Sequence, residues 1–469
     1  MDLALCTMLT VLACLLWVSS DSFWIDEGNA AAKAVQDSIP AWYGALVKGG
    51  GSDAQMPGFM LYGWFWEKVF GSEEYGLRAS NLLWYFLALW YMRFSRLEML
   101  ALALSPFVLY YLDEFRPYMM QIAGGAMAIS GLRLLTQNLA TAWRRVLGGC
   151  LILCASSLIG VLWATGALVS AVILRPDILR EKSVWRDSAA VSVVFAGLGW
   201  YYLRSLLMGQ GAAAMSGGIL MSLGACAYEL MGLTGLGPSR AELRVNPTSM
   251  RAYAIPLVSA AAFVSVTWIM GLVGLWKATP LRNWLALLVG LAIPLGALVV
   301  MLFLKDFRFL ARHIAPMSVL LAVLTGHVLG GCGWEGNWRR MAQVSAAASV
   351  VIGVMGALST RFCARHHKDD YRQAAQIART AIGNGNPVVW AADAVTGKYY
   401  GLRSEQRSNQ MTFRVWDPSK PILVGNEMVI LSKPDLYDPR GSLRFELKSG
   451  GFVIVDEIQA FTVWRALGK

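Results

Sequence analysis

Long apolar stretches alternate with short polar ones through residue 358, after which the pattern changes. Crossing a bilayer as a helix takes about 20 apolar residues. On that measure spans are predicted near Leu3–Ser20, Gly76–Met92, Leu97–Leu112 and Pro117–Leu135. A second group comes next, near Val146–Gly160, Val161–Leu174, Ser188–Leu207, Ile255–Trp276, Trp284–Leu304, His313–Gly331 and Met341–Leu358. The expected total is about eleven. The first stretch could alternatively be a cleaved leader ending at VSSDS, but it lacks a basic start and opens with Asp2, so a retained helix is expected. The stretch SGGILMSLGACAYELMGL, residues 216–233, is Gly-rich and carries Glu229. Counting it as a span would reverse every later loop, so it is read as a re-entrant or interfacial helix.

Beyond Leu358 the charged run RFCARHHKDDYRQAAQIARTA has helical spacing, and PVVWAA, PILVG, EMVILS and GFVIVDE read as short strands. PDLYDPRGSLRFELKSG reads as a turn leading into a helix. The expectation is an all-α membrane portion, residues 1–358 with a first outer loop at 21–75, followed by a small α/β domain at 359–469.

Composition agrees with a polytopic membrane protein: 56% of residues are hydrophobic, 15% are charged, and mean hydropathy is +0.48, which excludes an ordinary soluble enzyme. A net charge of +11 would suggest nucleic acid in a soluble chain. Here the basic residues fall in short loops, and no nucleic-acid partner is expected. With the amino terminus inside, cytoplasmic loops receive Arg93, Arg96, Arg144, Arg145, Arg175, Arg180, Lys182, Arg186, Lys277, Arg282, Arg339 and Arg340, as the positive-inside rule requires. The seven cysteines lie mostly in apolar runs without CxxC pairs or neighbouring histidines at ligand spacing, so no metal centre is expected from them.

That orientation brings polar residues to one outer face. Asp26 and Glu27 follow the first span, and Asp113 and Glu114 follow the third in YYLDEFRPYMM. FLKDFRFLARHIAP delivers Lys305, Arg308, Arg312 and His313 after the ninth. Acids beside cations suit a general base next to a phosphate clamp. Bland readings stand beside this one. The acids can be solvated helix ends, Arg308 and Arg312 can snorkel to headgroups, Arg116 can pair with Asp113 at a helix start, and His313 can be structural.

IDEGNAA followed by DAQMPGFMLYGWFWEKVFGSEEYGLRASNLL resembles the first outer loop of GT-C superfamily membrane glycosyltransferases. The branch it most resembles contains the protein O-mannosyltransferase and aminoarabinose-transferase relatives, with the bacterial RgtA/B/C/D-like group. Their DE pair is matched by Asp26 and Glu27, their PP-L-Y-Y element by Met56-Pro57 with Leu61-Tyr62, and their FG-x-x-E-x-x-L-R segment by Phe70 through Arg78. DEFRPY is similar to an E-x-R-P-Y element through Glu114, Arg116, Pro117 and Tyr118, and RHIAP to R-Y-x-x-P through Arg312 and Pro316. Met56 and His313 depart from the pattern. DDYRQAAQIA resembles the segment just past the last span in bacterial members.

The resemblance implies a GT-C fold in a bacterial inner membrane, with the site and the C-terminal domain periplasmic. It also implies transfer of a sugar from a polyprenyl-phosphate donor to an envelope lipid, glycan or protein acceptor. Asp26, Glu27 and Glu114 are then the catalytic candidates, with Asp26 the base of an inverting reaction. Arg308, Arg312, Lys305 and Arg116 are the candidates for the donor phosphate, and Tyr118, Asp113, Tyr62 and His313 for positioning. The resemblance makes no cofactor certain; some superfamily members use a divalent cation, which here could bridge Asp26, Glu114 and phosphate, although no dedicated cage is visible. The alternative is a transporter or flippase for a lipid-linked sugar, for which midplane charges and internal repeats are expected; neither is seen.

Overall fold

The computed structural model describes residues 2–208, 219–239, 242–243, 246–305, 309–403, 406–407, 410–411, 413–417, 419 and 427–466. Apolar helices dominate up to Phe362. Among the described residues five are long and apolar enough to cross a membrane on length and composition: Leu139–Ser156, Lys182–Leu207, Thr248–Ala278, Leu281–Leu304 and Gly336–Phe362. Asp2–Trp17, Leu158–Leu174, Ile219–Leu230 and Met317–Leu329 are shorter apolar helices.

Several expected spans are interrupted, each for a local reason. Leu97–Leu112 forms two helices, Arg96–Ala103 and Pro106–Leu112. Pro106 has no N–H to give a preceding turn and occupies the first position of the new helix instead. Gly76–Met92 divides into Glu74–Ala79 and Asn81–Met92. The boundary expected at Gly160 lies at Ser157, whose extended backbone ends one helix and whose side chain caps the next by accepting from the Gly160 N–H. Within the stretch 216–233, residues 219–230 form a helix of 12 residues.

Small residues let the helices approach. A Cβ added at Gly149 would sit 2.6 Å from the Ala128 nitrogen and the Gly124 carbonyl oxygen on Tyr118–Leu134. Gly166 likewise faces Gly290, and next to them the Ser170 hydroxyl donates to the Ala286 carbonyl at 2.8 Å. Where lipid tails are as apolar as the side chains, such close backbone contact and interhelical hydrogen bonds hold helices together. The ends of the first helix mark two sides of the bundle. Asp2 pairs with Arg96 at 3.4 Å at one end, and beyond the other end Ser19 meets Asp113.

Between the first helix and Asn81 lie five helical pieces: Ile25–Ala34, Ile39–Gly49, a turn at Ser52–Gln55, Pro57–Phe70 and Glu74–Ala79. After Phe362 come helix Tyr371–Gly383 and, among the described residues, seven strands: β1 Val388–Ala391, β2 Gln406–Arg407, β3 Gln410–Met411, β4 Phe413–Val415, β5 Met428–Ser432, β6 Phe452–Ile458 and β7 Phe461–Ala466. The main sheet has the order β4-β1-β5-β7-β6, with β1 parallel to β4 and β5, and β7 antiparallel to both its neighbours. All residues of β1 and β5 are buried, which is why those segments read as unbroken apolar runs. β7 has no counterpart among the expected strands. PILVG lies outside the described residues. The helix Ala394–Tyr399 leans on Ile25–Ala34, so the C-terminal part sits directly behind the first acidic pair.

Gly149→Leu should force Leu139–Ser156 off its neighbour and destabilise the protein by about 1–3 kcal/mol or more. Gly197→Leu, where the added carbon would meet nothing within 4 Å, is the control. Thermal unfolding of both variants in detergent, followed by size-exclusion chromatography, reads the difference.

Candidate functional site

The helix Ile25–Ala34 begins with Asp26 and Glu27 in its first turn, where unpaired N–H groups favour negative charge. Successive residues on a helix point roughly 100° apart, so the two carboxylates face different surroundings. Glu27 turns inward and is completely buried. Arg78, equally buried, grips it in a fork, Nε to Oε1 at 2.9 Å and Nη2 to Oε2 at 2.8 Å. The Phe115 N–H donates to Oε1 at 2.8 Å, and Lys368 Nζ lies 3.4 Å from Oε2. Burial alone would raise the Glu27 pKa, but the charges of Arg78 and Lys368 and these hydrogen bonds outweigh it and hold the carboxyl below its ordinary value. Glu27 is therefore a scaffold for the site.

Asp113 belongs to the same cluster. Its oxygens accept from the Ser19 N–H at 2.7 Å and the Ser19 hydroxyl at 2.9 Å, and Arg78 and Lys368 each stand 3.8 Å away. The Asp113–Arg116 pairing considered from sequence does not form. Arg116 instead donates to Asp53 Oδ1 at 2.6 Å and to the Asp26 carbonyl at 3.0 Å, while Lys33 holds the other Asp53 oxygen at 2.6 Å. With its side chain 1% exposed, Arg116 positions the backbone of Asp26 and offers no open face to a phosphate.

Asp26 points the other way. Its Oδ2 accepts from Arg312 Nη1 at 2.8 Å, and the two side chains remain 25% and 24% exposed. Desolvation works to raise the Asp26 pKa, but the charges of Arg312 and Arg116 prevail and lower it. Arg312 comes from the turn Ala311–Ile314 that precedes Met317–Leu329, a position 286 residues further along the chain. Tyr118 starts the helix after the DEFRP turn and packs edge-on against Tyr111 at 4.7 Å. The Tyr111 hydroxyl in turn donates to Glu229 on the short helix at 3.1 Å.

The remaining predicted residues are placed elsewhere. Tyr62 donates its hydroxyl to the Ser80 carbonyl at 2.8 Å and stacks edge-on with Trp84, pinning the first loop to the next helix. His313 Nδ1 accepts from the Leu310 N–H at 3.1 Å, closing its own turn. Glu114 is buried in the DEFRP turn, and its carbonyl accepts from Asn81. Arg308 and the side chain of Lys305 lie outside the described residues. Among the described residues no three His, Cys, Asp or Glu side chains are grouped to hold a metal ion.

Residues not singled out from sequence complete the arrangement: Arg78, Asp53, Lys33 and Lys368. The first two stand in the loop segments that carry the family resemblance, and their charges inside apolar surroundings were the available signal. Lys368 had none. Further residues of the C-terminal part close the back of the site. Tyr400 accepts from the Phe23 N–H at 2.7 Å and donates to Glu74 at 2.8 Å, Arg372 donates to Glu74 at 2.9 Å, and Asn29 reaches Asp393 at 3.1 Å.

Neither a protein-family model nor a curated protein matches the chain. Among solved structures it is similar to ArnT from Cupriavidus metallidurans bound to undecaprenyl phosphate, at 14% identity over 98% of this chain and 97% of that one, with a TM-score of 0.45. It is also similar to the arabinofuranosyltransferase AftD from Mycobacteria, at 14% identity over 100% of this chain and 40% of that one, with a TM-score of 0.46. At such identity and superposition a likeness transfers no chemistry, and the side chains of this protein must carry any functional conclusion.

Removing one partner of the buried Glu27–Arg78 pair should cost about 3–5 kcal/mol, because the other charge is left uncompensated. Glu27→Gln is therefore expected to melt well below the parent at neutral pH. A depressed carboxyl contributes its full stability above the ordinary glutamate value of about 4.3 and loses it as pH falls through the folded value. The gap between variant and parent should narrow in melts below about pH 4.

Proposed function

We propose that this chain is a GT-C-type membrane glycosyltransferase that moves a sugar from a polyprenyl-phosphate donor to a hydroxyl or amine of an envelope lipid, glycan or protein. The contact between Asp26 and Arg312 carries this reading: an ionised acid and a guanidinium, remote in sequence, meet at a partly open position while the acids and the arginine around them are sealed. The motif order along the chain and the placement of basic loops support the same reading and favour a reaction on the periplasmic side of a bacterial inner membrane.

In the reaction, the acceptor oxygen or nitrogen attacks the anomeric carbon from the side opposite the phosphate. A bond from the anomeric carbon to the acceptor forms as the bond to the phosphate oxygen breaks. The electron pair leaves with polyprenyl phosphate, the acceptor proton passes to Asp26, and the configuration inverts. A positioned base of this kind contributes roughly 10² to 10⁴ in rate. Arg312 stabilises the charge that develops on the leaving phosphate, the preorganised electrostatic contribution that is usually the largest. Arg116, through the Asp26 carbonyl, fixes where the base stands.

Asp26→Asn should fold and lose at least about 100-fold in transfer. Cells carrying it should accumulate the same polyprenyl-phosphate sugar as cells lacking the gene, visible by mass spectrometry of membrane lipids. Arg312→Lys should also be impaired, since a point charge replaces a planar fork. Full transfer by Asp26→Asn removes Asp26 from the chemistry.

A further inference from the structure

Arg312 is a cation of the site that is both engaged and reachable. Its Nη1 is spent on Asp26 at 2.8 Å, yet 24% of its side chain remains exposed. Arg116 cannot substitute for it, because its guanidinium is committed to Asp53 at 2.6 Å inside the protein. Lys33 is committed to Asp53 as well, and Lys368 to Glu27. An anion beside the Asp26–Arg312 pair gains charge-assisted hydrogen bonds from Arg312 by sharing a guanidinium that a carboxylate already holds.

Resting on the glycosyltransferase reading, we infer that Asp26 takes the seat of the donor phosphate on Arg312, and that the phosphate and the carboxylate compete for that guanidinium. The ion pair is then a stored state of the base. Without donor, Asp26 is held by a cation and is a weak proton acceptor. When the donor phosphate draws Arg312 away, Asp26 loses its nearest counter-charge in a poorly solvated place and becomes the stronger base beside the acceptor. The base is switched on only where there is a sugar to transfer.

The same competition orders the end of the cycle. Once Asp26 has taken the acceptor proton it is neutral and no longer rivals the phosphate. When that proton leaves for solvent, the carboxylate regains its charge and reclaims Arg312, helping to dislodge polyprenyl phosphate. No bond changes beyond those of the transfer itself are involved.

The test is a double-mutant cycle on the full-length protein in lipid nanodiscs, titrated with undecaprenyl phosphate and read by native mass spectrometry. Melting curves confirm that each variant folds. Asp26→Asn, nearly isosteric and partly exposed, should bind the phosphate about tenfold more tightly than the parent although it cannot turn over. Arg312→Gln should bind it more weakly by a similar factor. In the Arg312→Gln background, adding Asp26→Asn should change affinity less than about twofold, because nothing is left to compete for. Equal or weaker binding by Asp26→Asn overturns the inference. So does a gain that persists without Arg312, since that is simple repulsion between two anions. Both of those outcomes leave the glycosyltransferase reading standing. Binding by Arg312→Gln as tight as the parent's, or no binding by the parent, removes the phosphate from this position and overturns both.

Discussion

The fork of Arg78 around Glu27 is the constraint on which the rest of the site depends. Both side chains are fully buried, so each charge is tolerable only because the other is held at hydrogen-bond distance. Lys368 and Asp113 extend the pair into a cluster of two acids and two bases that is neutral as a whole. The four residues come from the first-loop helix, the segment before Asn81, the DEFRP turn and the stretch after the last long helix. Four remote parts of the chain are thereby fixed to one point, and Asp26, the residue before Glu27, takes its position from that point.

This explains the acidic doublet as a division of labour. One carboxylate is buried and holds the loop, and the other stays partly open beside Arg312, with helical geometry separating them. The second doublet is divided less sharply. Asp113 ties down the exit of the first helix through Ser19, and Glu114 is enclosed within its turn. Asp53 does for the arginine side what Glu27 does for the acid side, engaging Lys33 and Arg116, while Arg312 keeps a face to spare.

Much of this was legible in the sequence and some was not, for identifiable reasons. Span counting and loop charge were enough to bring the early acids and Arg312 to one face, because topology is set by hydrophobic length and basic residues rather than by side-chain packing. The partner of each charge was not readable. Arg116 had Asp113 three positions away, yet it chose Asp53, which reaches it through the fold of the first loop. Tyr62 and His313 matched or flanked motif positions but spend their polar atoms on nearby backbone. Lys368 lies in a charged run with nothing to distinguish it from its neighbours. The break before Pro106 was visible in principle, since proline ends the preceding turn, but an apolar run hid it.

Gly28 stands two residues from Asp26, and a carbon added there would fall 2.4 Å from Thr396 Cγ2 in the C-terminal part. Such tightness makes the seam behave as a mortise: neither side can be recut alone. A graft that exchanged everything after Phe362 for the corresponding piece of another protein would have to bring a matching joint at Thr396, or it would tilt the acid itself. The first loop and the C-terminal part are thus fitted to one another through a hydrogen atom's worth of missing side chain.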